Sequence, residues 1–229
     1  MCRYPSVRRK DNHPVNARLR ILGVLMIASG LFGTGVAAFT AMRTLEGANS
    51  LQAFSAAQEV KLTYNEAGKL TDRGTTEGAQ KILDLVTKDW GYAIQQSELN
   101  PKDPLVNTAS EYMYQMGTIS YHTLNTTVTV NLKEAKEYKG QTFAAGDHKF
   151  VNTGRYWTDF DRAHPIEGPA RDMIWTGTAH ALIGELGVGA VTANTLQIGL
   201  GLVGVIGGLA GTLLLLGLGL VWASRKPAA

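Results

Sequence analysis

The chain has one cysteine among its 229 residues, and it is the second residue. No internal disulfide can form, although an oxidising compartment would permit one. Any domain must therefore hold together by core packing, by its apolar helices or through neighbouring subunits. Cys2 is no lipoprotein signal, because no apolar segment precedes it, and it reads as a solvated free thiol. Catalytic signatures are missing too: there is no HExxH, EF-hand loop, GxSxG elbow or SxxK. GxG stretches such as Gly199-Leu200-Gly201 lie in an uncharged run, which excludes a phosphate loop.

The most telling absence is of charge. Ile21 to Met42 (22 residues) and Ile198 to Ala223 (26 residues) contain no ionisable side chain. A helix of about 20 apolar residues crosses a hydrocarbon core about 30 Å thick, and a buried charge there is costly. The sequence predicts a membrane protein with two transmembrane α-helices. The boundaries are a basic N-terminus (1–20), the first span (21–42), an extracytoplasmic domain (43–197), the second span (198–223) and a short tail (224–229). Small residues at Val36-Ala37-Ala38 allow a cleavable signal peptide as the competing reading. The apolar run is longer than the usual 7–15-residue core of such signals, which favours a retained helix.

What charge there is lies unevenly. Arg3, Arg8, Arg9, Lys10, Arg18 and Arg20 precede the first span against Asp11 alone, and Arg225 and Lys226 follow the second. The remaining 14 basic and 18 acidic residues lie between the spans. Basic residues next to spans stay in the cytoplasm, so both termini are expected there, with the domain on the far side of the plasma (inner) membrane. Trp222 suits the interface at the cytoplasmic end. The basic N-terminus needs no nucleic acid to explain it: orientation suffices, with contacts to anionic lipid worth about 1 kcal/mol per basic residue.

About 155 residues between the spans suffice for an independent core. Leu45, Ala48, Leu51, Phe54 and Ala57 predict that the first helix continues outward from Arg43 to about Tyr64. Thr76 is placed as cap of a second helix, from Glu77 to Trp90. Asp103-Pro104 reads as the start of a third, running to Thr123. Thr126 to Leu132 alternates and is β-branched, a strand. Tyr138–Phe143 and His148–Val151 are expected to pair as a hairpin across residues 144–147, giving a three-stranded antiparallel sheet. Arg155 to Ala163 reads as a short helix, and Ala170 to Leu186 as a helix able to run on into the second span. The fold class is α+β, mostly helical, with a small antiparallel sheet.

Two constellations stand out. Gly204 and Gly208 are four apart, as are Gly207 and Gly211, with Gly199, Gly201, Gly217 and Gly219 nearby; Ser29, Gly33, Ala37 and Ala41 form a similar column in the first span. Such spacing lets membrane helices approach closely, either within the chain or between chains. The second is Asp159, Asp161 and His164 in TDFDRAHP, with His148, Glu167 and Asp172 nearby. Carboxylates with an imidazole suit a divalent metal, but the spacing fits no defined metal motif, and Arg155, Arg162 and Arg171 can pair the acids instead. His122 and His180 would be ligands or general bases only if they converge. No catalytic residue and no cofactor is predicted. Asn125-Thr126-Thr127 fits the glycosylation pattern, which matters only in a eukaryotic secretory route.

The runs EYMYQMGTISYHTL (Glu111 to Leu124), GRYWTDFDRAHPIEGPAR (Gly154 to Arg171) and TAHALIGELGVGAVT (Thr178 to Thr192) resemble a group of uncharacterised double-pass membrane proteins of actinobacteria. The resemblance implies a bacterial envelope setting and supplies no activity or site residue. The expected function is a non-enzymatic, membrane-anchored assembly or accessory subunit, a homo-oligomer or part of a larger membrane complex. The alternatives are a homo-oligomeric channel or transporter, and a metal-binding or metal-dependent envelope enzyme.

Overall fold

The computed structural model of the protein describes residues 13–225. Cys2, the arginines at 3, 8 and 9, Lys10, Asp11 and Lys226 lie outside the described residues. The chain divides into two compact units, one formed by its two ends (to Ala48 and from Leu196) and one by Asn49–Thr195. Two helices are long and apolar enough to cross a membrane: α1 (His13–Gln58, 46 residues) and α5 (Gly177–Ala223, 47 residues).

In the first unit α1 and α5 run antiparallel, and their seam recurs every seven residues. On α1 the buried positions are Gly23, Gly30, Ala37 and Thr44; on α5 Ala210 and Gly217 are buried, again seven apart. A seven-residue repeat is the mark of a left-handed helix pair. A Cβ added to Gly23 would fall 2.7 Å from the Gly217 carbonyl oxygen, and one added to Gly33 would fall 3.0 Å from Ala210 Cβ. Further along, Gly207 would meet Ala37 at 3.9 Å and Gly199 would meet Thr44 Oγ1 at 2.8 Å. The buried positions of the seam are seven apart, and Gly33 and Ala37 of the expected four-residue column also lie in it, whereas Ser29 is exposed. Close approach of the backbones goes with small residues at 23, 30, 37, 210 and 217, while Thr44 is accommodated opposite Gly199. Val36-Ala37-Ala38 is mid-helix, with Ala37 packed toward Gly207.

The second unit is mixed. Its helices are α2 (Thr76–Asp84), α3 (Ala109–Leu124) and α4 (Glu167–Ile174), with a π-helical turn at Leu85–Asp89 and a 3-10 turn at Trp157–Asp159. Strands β1 (Thr63–Tyr64) and β2 (Leu70–Thr71) pair, as do β4 (Lys136–Tyr138) and β5 (Gln141–Phe143), and β3 (Thr127–Leu132) pairs with β6 (Gly146–Val151); all pairing is antiparallel. One core gathers Ile82, Val106, Tyr112 and Tyr114 around α2 and α3. A second gathers Val130, Phe160, Ile166 and Trp175 around β3 and α4.

Several boundaries differ from expectation. Helix α1 stops at Gln58, where Glu59 takes φ +52, so Tyr64 lies in a strand. Helix α2 is capped by Thr75, whose hydroxyl accepts the Gly78 N–H, rather than by Thr76. Asp103-Pro104 stays in the loop. Helix α3 instead begins after Thr108, where Thr108 and Glu111 form a reciprocal capping box. The Thr-x-x-Glu pattern sets the start of the helix, and Asp103-Pro104, five residues earlier, does not.

The hairpin also moves. Lys139 (φ +48) and Gly140 (φ +79) form a two-residue turn joining β4 to β5, which leaves β6 to pair with β3, Thr127 opposite Val151. Turns with two positive φ values usually carry Asn-Gly or Asp-Gly, so Lys-Gly gave little warning. Three separate two-stranded ladders therefore replace the three-stranded sheet. The helix expected over 155–163 is only the 3-10 turn, and the one expected from Ala170 breaks at Trp175 (ψ 64) before α5 begins.

Candidate functional site

The glycines of α5 present two different faces. Gly199, Gly207 and Gly217 turn toward α1, while a Cβ placed on Gly201, Gly204, Gly208, Gly211 or Gly219 would meet nothing within 4 Å. The expected packing set thus splits. Gly33, Ala37 and Gly207 serve the pair inside the chain, and Gly204, Gly208 and Gly211 stand on an uncovered face. The hydroxyls of Thr34, Thr40 and Thr212 donate to the carbonyls of Gly30, Val36 and Gly208, each four residues back (2.9 Å each). Those side chains are spent on their own helices.

In the second unit, a cleft of about 140 Å³ lies among the 49–58 stretch of α1, α3 and the 177–195 stretch of α5. Phe54, Tyr112, Ile119, Leu182 and Leu186 line it, with Gln58, Gln115 and Glu185 as polar groups. Ser55 Oγ donates to the Leu51 carbonyl (3.0 Å) and accepts the Tyr112 hydroxyl (2.7 Å), so both hydroxyls are satisfied within the wall. The space suits one ring-sized apolar group, being close to the roughly 150 Å³ cavity that holds benzene. It is smaller than the roughly 300–1,000 Å³ of drug-sized sites. Its lining contains no histidine or cysteine to activate a nucleophile.

The residues singled out for metal binding are each engaged locally. Asp159 accepts the Tyr156 N–H at 2.8 Å, capping the 3-10 turn. Asp161 accepts the Tyr138 hydroxyl and Lys139 Nζ, the latter at 3.1 Å, and these two bonds hold its carboxyl down to about 2. His164 Nδ1 accepts the N–H groups of Ile166 (3.1 Å) and Glu167 (3.2 Å), and its ring meets Phe143 edge-on at 4.8 Å. Burial pushes the Glu167 carboxyl up, but Arg155 at 2.9 Å and the Asp161 N–H outweigh it, and the net direction is down. His148 bonds the Ala144 carbonyl, and Asp172 pairs with Arg171. Among the described residues no three His, Cys, Asp or Glu side chains gather into a metal-holding group.

His122 and His180 do not meet. His122 Nε2 lies 3.0 Å from Asp72 Oδ1, a pair that sequence distance concealed. His180 is stacked on Trp175 and meets Trp157 edge-on, while Arg171 lies 4.0 Å above the Trp157 ring. This ladder of aromatics and cations secures the start of α5 in the second core. Beside α3, Tyr64 has a buried, unpaired hydroxyl pushed up to about 12 by burial and by the neighbouring Glu111 carboxylate.

No protein family, curated protein or solved structure matches the chain.

Proposed function

We propose that the protein is a non-enzymatic assembly or accessory subunit of a bacterial plasma membrane. In this reading α1 and α5 cross the bilayer, both termini are cytoplasmic, and the domain between them lies outside. It joins copies of itself or a larger membrane complex.

The observation that carries the reading is the second glycine face of α5. The pair inside the chain uses Gly207 and Gly217 and leaves Gly201, Gly204, Gly208 and Gly211 uncovered. In a membrane, helices associate through such small-residue faces, where backbones approach closely. Further support comes from the helices themselves. The most apolar windows of α1 and α5 are only 17% and 6% buried, unlike the core helix of a water-soluble globule. Above the uncharged run, α5 exposes Val188 (67%) and Val191 (66%), an apolar surface that a partner would cover.

The test is cysteine crosslinking in native membranes, with Cys2→Ser as background and single cysteines at Gly204 or Gly208. The expected result is a discrete crosslinked species larger than the monomer. Monomer alone at every position overturns the reading. Protease added to intact cells reports orientation separately: cleavage between residues 49 and 195 is expected, and full protection overturns the topology.

A further inference from the structure

A crevice of about 630 Å³ opens where the start of α1 meets the end of α5, within the unit formed by the chain ends. Arg20 and Arg225 line it from the two different helices, with Asn16 and Ser224 beside them and Ile21 and Val221 as apolar wall. None of the ion pairs among the described residues includes either arginine. No acidic residue occurs anywhere in 13–45 or in 186–225. The two guanidiniums therefore line one opening with no acidic partner among the described residues.

We infer that this crevice binds the headgroup of an anionic glycerophospholipid, its phosphate held between Arg20 and Arg225. Charge complementarity gives the sign of the ligand, because a planar guanidinium forks onto phosphate oxygens. Position gives the rest. Ile21 begins one uncharged run and Val221 is two residues from the end of the other, so the cations stand where lipid-facing surface begins. A phosphodiester joined to acyl chains satisfies both parts of the site, whereas a free anion satisfies only the cations. Basic pockets between helices on the cytoplasmic side hold headgroups in this way. Ser224 Oγ donates to the Val221 carbonyl at 2.8 Å, which keeps its oxygen free to accept from a headgroup hydroxyl. Trp222, 74% exposed, follows Val221 in the chain, at the span end where an indole favours the interface. The inference rests on the proposed crossing of the bilayer, but not on assembly with a partner.

The experiment is native mass spectrometry of the full chain released from nanodiscs of phosphatidylcholine containing a minor share of phosphatidylglycerol. Retention of the anionic lipid is expected to exceed its share in the disc by roughly thirtyfold, about fivefold for each arginine. R20Q and R225Q each lose one such factor, and the double variant loses both with helix content by circular dichroism unchanged. R18Q, an exposed arginine on the same helix outside the crevice, leaves retention as it was. Inorganic phosphate at high concentration does not displace the lipid. Unchanged preference in the double variant, an equal loss in R18Q, or displacement by phosphate overturns the inference while leaving the crossing intact. A chain that fails to enter nanodiscs overturns the crossing and the inference together.

Discussion

Gly23 and Gly217 face each other so closely that a methyl group on either would fall 2.7 Å from the other's carbonyl oxygen. No side chain fits there without separating the helices, and a separation of α1 from α5 would be felt along the whole seam. The second glycine face has no such constraint within the chain, which allows the two faces to be tested apart.

Gly23→Leu is expected to lower the midpoint of thermal unfolding in detergent, with overpacking costing about 1–3 kcal/mol. Gly208→Leu, on the open face, is expected to leave that midpoint unchanged and to abolish crosslinking between chains. Equal thermal losses in the two variants would show that the faces are not distinct.

Asp161 ties β4 and β5 to the segment before α4 through Tyr138 and Lys139. Its folded pKa of about 2 lies below the ordinary carboxylate range. The contribution is therefore full above the unfolded value of about 3.9 and is lost as pH falls toward about 2. Asp161→Asn should flatten the acid limb of stability in that window, measured by urea unfolding of the full chain in detergent at stepped pH. An unchanged acid limb would contradict the assignment.

Glu111 is 2% exposed and accepts the N–H groups of Asn107 and Thr108 as well as the Thr108 hydroxyl. Burial nevertheless pushes its carboxyl above the ordinary range. A raised folded pKa means that the folded state holds the proton longer. Stability then declines as pH climbs from the unfolded value through the folded one and levels off above it. This slope runs opposite to that of Asp161, and Glu111→Gln should remove it in the same urea series. Thr108→Ala, which deletes the reciprocal cap, is expected to cost about 1 kcal/mol at neutral pH.

Gly117 on α3 packs against the π-helical turn, where an added Cβ would lie 2.5 Å from Val86 Cγ2. Gly117→Val should destabilise the second unit by about 1–3 kcal/mol. Pairing it with Val86→Ala should recover part of the loss by making room, as read by a double-mutant cycle. No recovery would mean that the strain lies elsewhere.

The sequence by itself determined what its composition could express over long stretches. Two uncharged runs specify two long apolar helices, because a run of more than twenty apolar residues with no charge has few other stable forms. Alternation at Thr127–Leu132 specified a strand, and the residues from Ala170 onward announced a helix continuous with the second run, apart from the break at Trp175. Only the tertiary structure decided which glycines face α1 and which face nothing. Residues 204, 207, 208 and 211 are chemically identical, and a rotation of the helix by one position exchanges their roles. It also decided that β6 pairs with β3, since register depends on a turn at Lys139-Gly140 whose residues do not advertise it. The local hydrogen-bond partners of Asp159, Asp161 and His164 are likewise visible only in the tertiary structure. Asp159 and His164 accept backbone N–H groups two or three residues away, and Asp161 accepts the Tyr138 hydroxyl from a distant strand; residue type alone carries no signature of either.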